Sequence, residues 1–208
     1  MDSVQLADSM QELVFATHNG HKTREIQAIL SQQYRILSLD DVKFHDPVPE
    51  NEDSLEGNAS QKARFIHQRL DRDCFADDTG LEVDCLDGAP GVYSARYADL
   101  TDDRRADETA SEANIRKLLA KMRGETNRKA RFRTIIALIL GGEEYIFEGM
   151  VEGVILEGRR GSGGFGYDPV FLPSGCNETF AEMSLNQKNI ISHRAVAVSK
   201  LAAFLKNN

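Results

Sequence analysis

Apolar positions fall into short runs separated by helical stripes. Residues 13–16 form a strand-sized apolar run. After the polar turn 17–22, Ile26, Ile29 and Leu30 recur at helical spacing. Residues 35–39 read as a second strand, so the chain opens with an α/β unit. The acidic stretch 40–53 carries Pro47 and Pro49 and is expected to be a loop. Ser54 is an N-cap candidate for a helix to about residue 70, with Ala59, Ala63, Ile66 and Leu70 on one face. A third strand, 74–76, ends at Asp77-Asp78-Thr79-Gly80, and 81–86 is expected to be a strand beyond that turn.

Residues 88–97 form a Gly/Pro-bearing loop, and 107–122 carry Ile115, Leu118, Leu119 and Met122 on one helical face. The longest strand is 130–140. Gly141-Gly142 marks a hairpin into 144–150, with 151–156 continuing extended. A glycine-rich loop, 158–166, precedes a closing helix over 192–205. The pattern is α/β: a mixed, strongly twisted sheet with flanking helices and long antiparallel hairpins.

Composition narrows the function classes. Apolar residues make up 41% of the 208, enough for a buried core. The net charge of −8 excludes a surface that coats nucleic acid, although it admits a small anionic substrate. Arg128, Lys129, Arg131 and Arg133 cluster, as solvated strand faces do. Three cysteines without C-x-x-C spacing argue against disulfides or a zinc knuckle. With no apolar run of membrane length and no signal-peptide pattern at the start, no membrane association is expected, and the cytoplasm is the expected compartment.

Four segments carry candidate chemistry. Asp77-Asp78 at a strand end requires a cation or a proton to relieve repulsion, and Mg2+ is the natural ion for carboxylate and phosphate oxygens. A plain turn fits the same residues equally well. Thr17-His18-Asn19-Gly20-His21-Lys22 leads into a helix N-terminus, a phosphate-binding geometry, without Walker A spacing. Gly161, Gly163 and Gly166 spell G-x-G-x-x-G, but Pro169 follows too soon for a dinucleotide-binding helix. The better reading is a flexible loop presenting Phe165 and Tyr167, one of them able to stack on a base. Lys188, Ser192, His193 and Arg194 put cations at a helix start, where the dipole opposes them unless an anion or a base edge compensates. A metal site, a phosphate cradle, a stacking face and a donor-rich edge together describe a nucleotide site.

At these residues the chain resembles the inosine triphosphate pyrophosphatase family. The matching segments are Ala16-Thr17 with Asn19 and Lys22, Pro49-Glu50, Asn58-Ala59, Ala76 to Leu81, GAPGVYSARY at 88–97, GGFGYDPVF at 163–171 and Ile191-Ser192-His193-Arg194. The resemblance implies an elongated fold with two lobes around a central cleft, and a homodimer. It implies a single nucleotide pyrophosphatase domain over 12–208, with 1–11 a disordered leader. The implied reaction is hydrolysis of ITP, dITP and XTP to the monophosphate and pyrophosphate.

Carried over by motif, Asp78 is the general base and a Mg2+ ligand, Glu50 is a second ligand, and Asp77 supports the same cluster. The substrate-binding set is Thr17, His18, Asn19, Gly20, His21, Lys22, Thr79, Phe165, Gly166, Tyr167, Asp168, Lys188, His193 and Arg194. Within it, Lys188 is expected near the triphosphate, Phe165 on the purine face, and Asp168, His193 and Arg194 at its edge. A donor such as Arg194 suits a 6-keto purine and mismatches adenine, a difference worth up to about 10⁴–10⁵ in such sites. Two departures leave alternatives open. The family's Pro-Glu-Thr-Gly is here Pro49-Glu50-Asn51-Glu52, and its Glu-Glu-Asn is Glu56-Gly57-Asn58, so Glu52 or Glu56 also competes for the metal. Hydrolysis of other modified nucleotides, or nucleotide binding without catalysis, would use the same residues.

Overall fold

The computed structural model describes residues 11–30, 34–101 and 104–207. The expected leader lies outside these residues except for Gln11, which opens the first strand.

A seven-stranded mixed sheet organises the chain. Strand β1 (Gln11–Phe15) lies parallel to both β2 (Tyr34–Ser38) and β3 (Cys74–Val83). From β3 the sheet turns antiparallel through β5 (Lys129–Leu140), β6 (Glu143–Ile155) and β7 (Phe171–Pro173), and the short β4 (Pro90–Gly91) pairs with the end of β3. Gly141 and Gly142 turn the β5–β6 hairpin at φ of 58° and 85°, as a two-residue hairpin turn requires. The expected 144–150 strand and its extended continuation are one strand, because β5 supplies a partner along its whole length.

Side-chain alternation sends two sets of apolar residues to opposite faces. Leu13, Phe15, Phe75, Ile136 and Leu138 pack under α1 (Gly20–Leu30) and α5 (His193–Leu205). Val14, Cys74, Ala76, Ile135 and Ala137 pack under α2 (Leu55–Leu70), whose expected stripe is fully buried at Ala59, Ala63 and Ile66 and half-buried at Leu70. Ser54 caps α2 by accepting from the Gly57 amide, as its position foretells. Farther along the long strands a third cluster joins Leu81, Phe132, Phe171 and Phe180 to α3 (Ala110–Lys121). That helix starts three residues later than expected from 107, where a Thr109–Glu112 capping box stops it.

Two elements depart from expectation more seriously. Residues 77–80 are no turn. β3 runs unbroken through them because β5 pairs with it from Cys74 to Val83, and the expected strand tail 84–86 is a short 3-10 turn instead. The other is an additional helix, α4 (Leu185–Ile191), capped by Ser184 and Gln187, that precedes the expected closing helix over 192–205, which α5 matches. Ser192 ends α4 and caps α5, accepting from the Ala195 amide.

No helix among the described residues is long and apolar enough to cross a membrane. All three cysteines are free, with Cys74 buried and Cys85 and Cys176 half-buried. The basic cluster is a strand-face ladder. Arg131 meets Glu82 at 2.6 Å, while Arg133 meets Glu56 and Glu148 at 2.7 Å each.

Candidate active site

The site exists because β1 is shorter than β3. Pairing between them ends at Phe15 and Phe75, with one further bond from the Ala16 amide to the Phe75 carbonyl. β3 continues on β5 alone until β4 joins at Leu81, so the stretch around Asp77 and Asp78 borders an opening. This is the strand-end position expected for a ligand, but the strand that ends is β1.

Alternation then divides the acidic pair. Asp77 faces α1 and α5, taking the Lys22 ammonium at 2.7 Å and Arg194 Nε at 3.2 Å. Asp78 faces α2, accepting from Lys62 Nζ and Asn58 Nδ2 at 3.2 Å each. The two aspartates share no hydrogen-bond donor, because consecutive strand residues project to opposite faces, but the charges of Lys22 and Lys62 act on both. Their electrostatics diverge as well. Burial pushes the Asp78 carboxyl up from its ordinary value, against the pull of Lys62 and Lys22. Burial also acts on Asp77, but Lys22 and Arg194 outweigh it and hold that carboxyl far below the usual range.

Lys62 is the main residue that sequence reading missed. It is 3% exposed on α2 and bridges Asp78 to Glu50, which it meets at 2.5 Å. Its burial beside the α2 stripe shows only in the tertiary structure, so the local pattern carried no signal for it. The two carboxylates that reach one ammonium form a hard-oxygen donor set suited to Mg2+. No group of three His, Cys, Asp or Glu able to hold a metal occurs among the described residues. Two protein carboxylates suit an ion that keeps waters and draws its other ligands from phosphate. The competing glutamates stand elsewhere, for Glu56 is held by Arg133, and Glu52 contacts Gln61 outside the cleft wall.

A cleft of 420 Å³ gathers most of the expected residues: Thr17, His18, Asn19, Lys22, Glu50, Asp78, Thr79, Phe165, Gly166, Tyr167, Asp168, Lys188, His193 and Arg194 all line it. Gly20 and His21 do not. His21 is exposed, its Nδ1 is 3.1 Å from Arg24 Nη2, and its ring centroid is 5.3 Å from that of Phe165. Asn19 accepts from the His21 amide at 3.0 Å, shaping the loop at the start of α1. A larger groove, 880 Å³, runs along α3 and Glu157–Arg159, and none of the expected site residues lines it.

At the other end of the cleft, Lys188 Nζ stands 4.8 Å from the Phe165 ring centroid and 2.7 Å from Asp168. Lys188 therefore sits beside the aromatic, where the resemblance had placed it near the triphosphate. Tyr167 is not displayed by a mobile loop. It is 4% exposed and donates to the Ser94 carbonyl at 2.9 Å, so its ring is wall and core. Burial raises the Asp168 carboxyl despite Lys188 beside it.

The helix start at His193 and Arg194 has a protein reason for its cation. Asp77 and Glu25 both hold the Arg194 guanidinium, and neither was expected in that role. His193 stacks on Phe132 at 4.6 Å, and its Nδ1 is buried without a partner. Burial, with Arg194 and Lys188 nearby, holds its imidazole neutral, well below its ordinary 6.5. Gly149 lets this helix sit on the sheet, because a Cβ there would fall 2.0 Å from the His193 carbonyl oxygen.

Comparison with known proteins bears on the family and the fold. The Ham1 family model matches residues 13–204. A dITP/XTP pyrophosphatase of Porphyromonas gingivalis is 51% identical over 197 residues, spanning 94% of this chain and 98% of its own. The protein of that name from Bacillus subtilis is 41% identical, with 95% and 98% covered. The solved Ham1 protein of Staphylococcus aureus has a TM-score of 0.82 at 37% identity, covering 95% of this chain and 99% of that one.

Proposed function

The chain belongs to the Ham1 family, and we propose that it hydrolyses the deaminated purine nucleotides ITP, dITP and XTP to the monophosphate and pyrophosphate. The observation that carries this reading is the cleft itself, which has a hard-oxygen carboxylate pair at one end and a cation-backed aromatic at the other. The names of the relatives point the same way, each being called a dITP/XTP pyrophosphatase.

In this reading Lys22, Thr17 and Asn19 hold the triphosphate at the start of α1, where free amides and the helix dipole favour anions. Glu50 and Asp78 hold a magnesium ion, which when bound neutralises phosphate charge and orients the anhydride. Asp78 takes a proton from the water that attacks the α-phosphorus. The bond from the α-phosphorus to the bridging oxygen breaks, and pyrophosphate leaves with that oxygen. Lys62 keeps Asp78 and Glu50 in register. Phe165 stacks on the purine, while His193, Arg194 and Asp168 read its edge. The two-lobed outline, the single domain over 12–208, the homodimer and the cytoplasmic nucleotide pool as workplace belong to the same proposal.

Steady-state pyrophosphate release across ITP, XTP, dITP, GTP and ATP tests the reading, and equal rates on ITP and ATP would sink it. Asp78→Asn is expected to lose about 10²–10⁴ in turnover while still binding IMP. Near-wild-type release by that variant would remove Asp78 from the role of base.

A further inference from the structure

Glu25 takes no part in the cleft wall, yet it is 4% exposed, almost as deep as Arg194 at 1%. An ionised carboxylate at that depth is costly unless cations hold it. Lys188 Nζ does so at 2.8 Å, and the Arg194 guanidinium does so from the other side. Each cation continues to a further carboxylate. Lys188 reaches Asp168 at 2.7 Å, and Arg194 reaches Asp77, which meets Lys22. The result is a run of alternating charge, Lys22, Asp77, Arg194, Glu25, Lys188 and Asp168, from the start of α1 to the Phe165 loop. Four of its members line the cleft, while Asp77 and Glu25 join them from behind.

We propose that Glu25 is a positioning residue for base recognition, fixing Arg194 and Lys188 relative to each other beneath the Phe165 ring. The proposal deepens the nucleotide pyrophosphatase reading and rests on it. With Nε on Asp77 and Nη1 on Glu25, the guanidinium plane is set by carboxylates from two different elements. Nη2 reaches Thr79 Oγ1 at 3.3 Å, so the guanidinium plane is held at three points, the fixed orientation that planar recognition of a base edge requires. Arg194 Cζ lies 5.6 Å and Lys188 Nζ 4.8 Å from the Phe165 ring centroid, so both cations lie against the same aromatic ring. Without Glu25 each cation keeps one carboxylate, but the shared anion that draws them together is gone and they repel. Glu25 also follows Lys22 by three residues on α1, so one helical face supplies a phosphate-end cation and the base-end anchor.

Loss of the Glu25 charge has effects of opposite sign at the two ends. The cleft becomes more positive, which favours a bare polyphosphate, while the base readers lose their alignment. Isothermal titration of Glu25→Gln in magnesium buffer, with IMP and with inorganic tripolyphosphate, reads both. IMP affinity is expected to fall about tenfold, while tripolyphosphate affinity holds or rises. The ITP-to-ATP ratio of kcat/KM should fall with the IMP affinity. Glu25→Asp retains the charge and should recover part of the loss, and it replaces the glutamine variant if that one fails to fold. Ile26→Ala loosens the same turn of α1 without touching an ion, and should weaken both ligands together or neither. Unchanged IMP binding in Glu25→Gln, or equal weakening of both ligands, overturns the proposal. A wild-type protein that binds IMP but does not hydrolyse ITP refutes the hydrolase reading and leaves the Glu25 measurement intact.

Discussion

Two ion networks of similar composition lie on either side of β3 and β5. On the outer face, Arg131 and Arg133 alternate with Glu82, Glu56 and Glu148, with side chains from 16% to 48% exposed. At the cleft, Arg194, Lys188 and Asp168 in its wall and Asp77 and Glu25 behind it stand at 5% or less. Water screens the outer ladder, so each of its pairs contributes little, about 0–1 kcal/mol. The inner chain bears a desolvation cost that apolar residues of similar volume would avoid. Its retention points to function, because a cleft that reads a charged, polar ligand needs fixed charges within it.

The sharpest way to break the contrast is to neutralise one inner carboxylate. Asp77→Asn leaves Lys22 and Arg194 under-compensated and is expected to cost about 3–5 kcal/mol, read from urea midpoints. A loss of under about 1 kcal/mol would place the inner chain in the same class as the outer one.

The pH dependence of His193 is a smaller effect. Its imidazole is neutral when folded, whereas the unfolded chain takes up a proton below about 6.5. The unfolded state then binds more protons, so stability falls as pH drops below that value, by up to about 1.4 kcal/mol per pH unit. His193→Phe should flatten this part of the curve between pH 6.5 and 5 in thermal melts. An unchanged slope would show that another group carries it.

The smallest expected effect is in the ladder. Arg133→Ala should cost about 1 kcal/mol or less, and the difference should shrink in 1 M salt. A salt-insensitive loss of several kcal/mol would mean that the outer ladder is structural after all.

The same contrast explains how much was legible beforehand. The α2 stripe, its Ser54 cap and the Gly141-Gly142 hairpin follow local rules, and the structure has all three. The expected substrate and metal residues converge on one cleft, with Gly20 and His21 left outside its wall and Asp77 behind it. The α4 capping box at Ser184 and Gln187 follows a local rule too, although the helix it opens is short. Lys62 and Glu25 were not readable in this way. On helical periodicity a lysine or glutamate beside an apolar stripe looks solvated, and only partners elsewhere in the chain show otherwise.

From the sequence alone come most of the helices and strands, the mixed α/β class, the site motifs and the family, because these depend on side chains near one another along the chain or on a recognisable string. Tertiary structure alone decided that β3 runs through Asp77 and Asp78, that the pair points to opposite faces, and that Glu25 ties Arg194 to Lys188. The physical reason is that burial and ion pairing depend on partners as far as 169 positions away, and local pattern does not encode them.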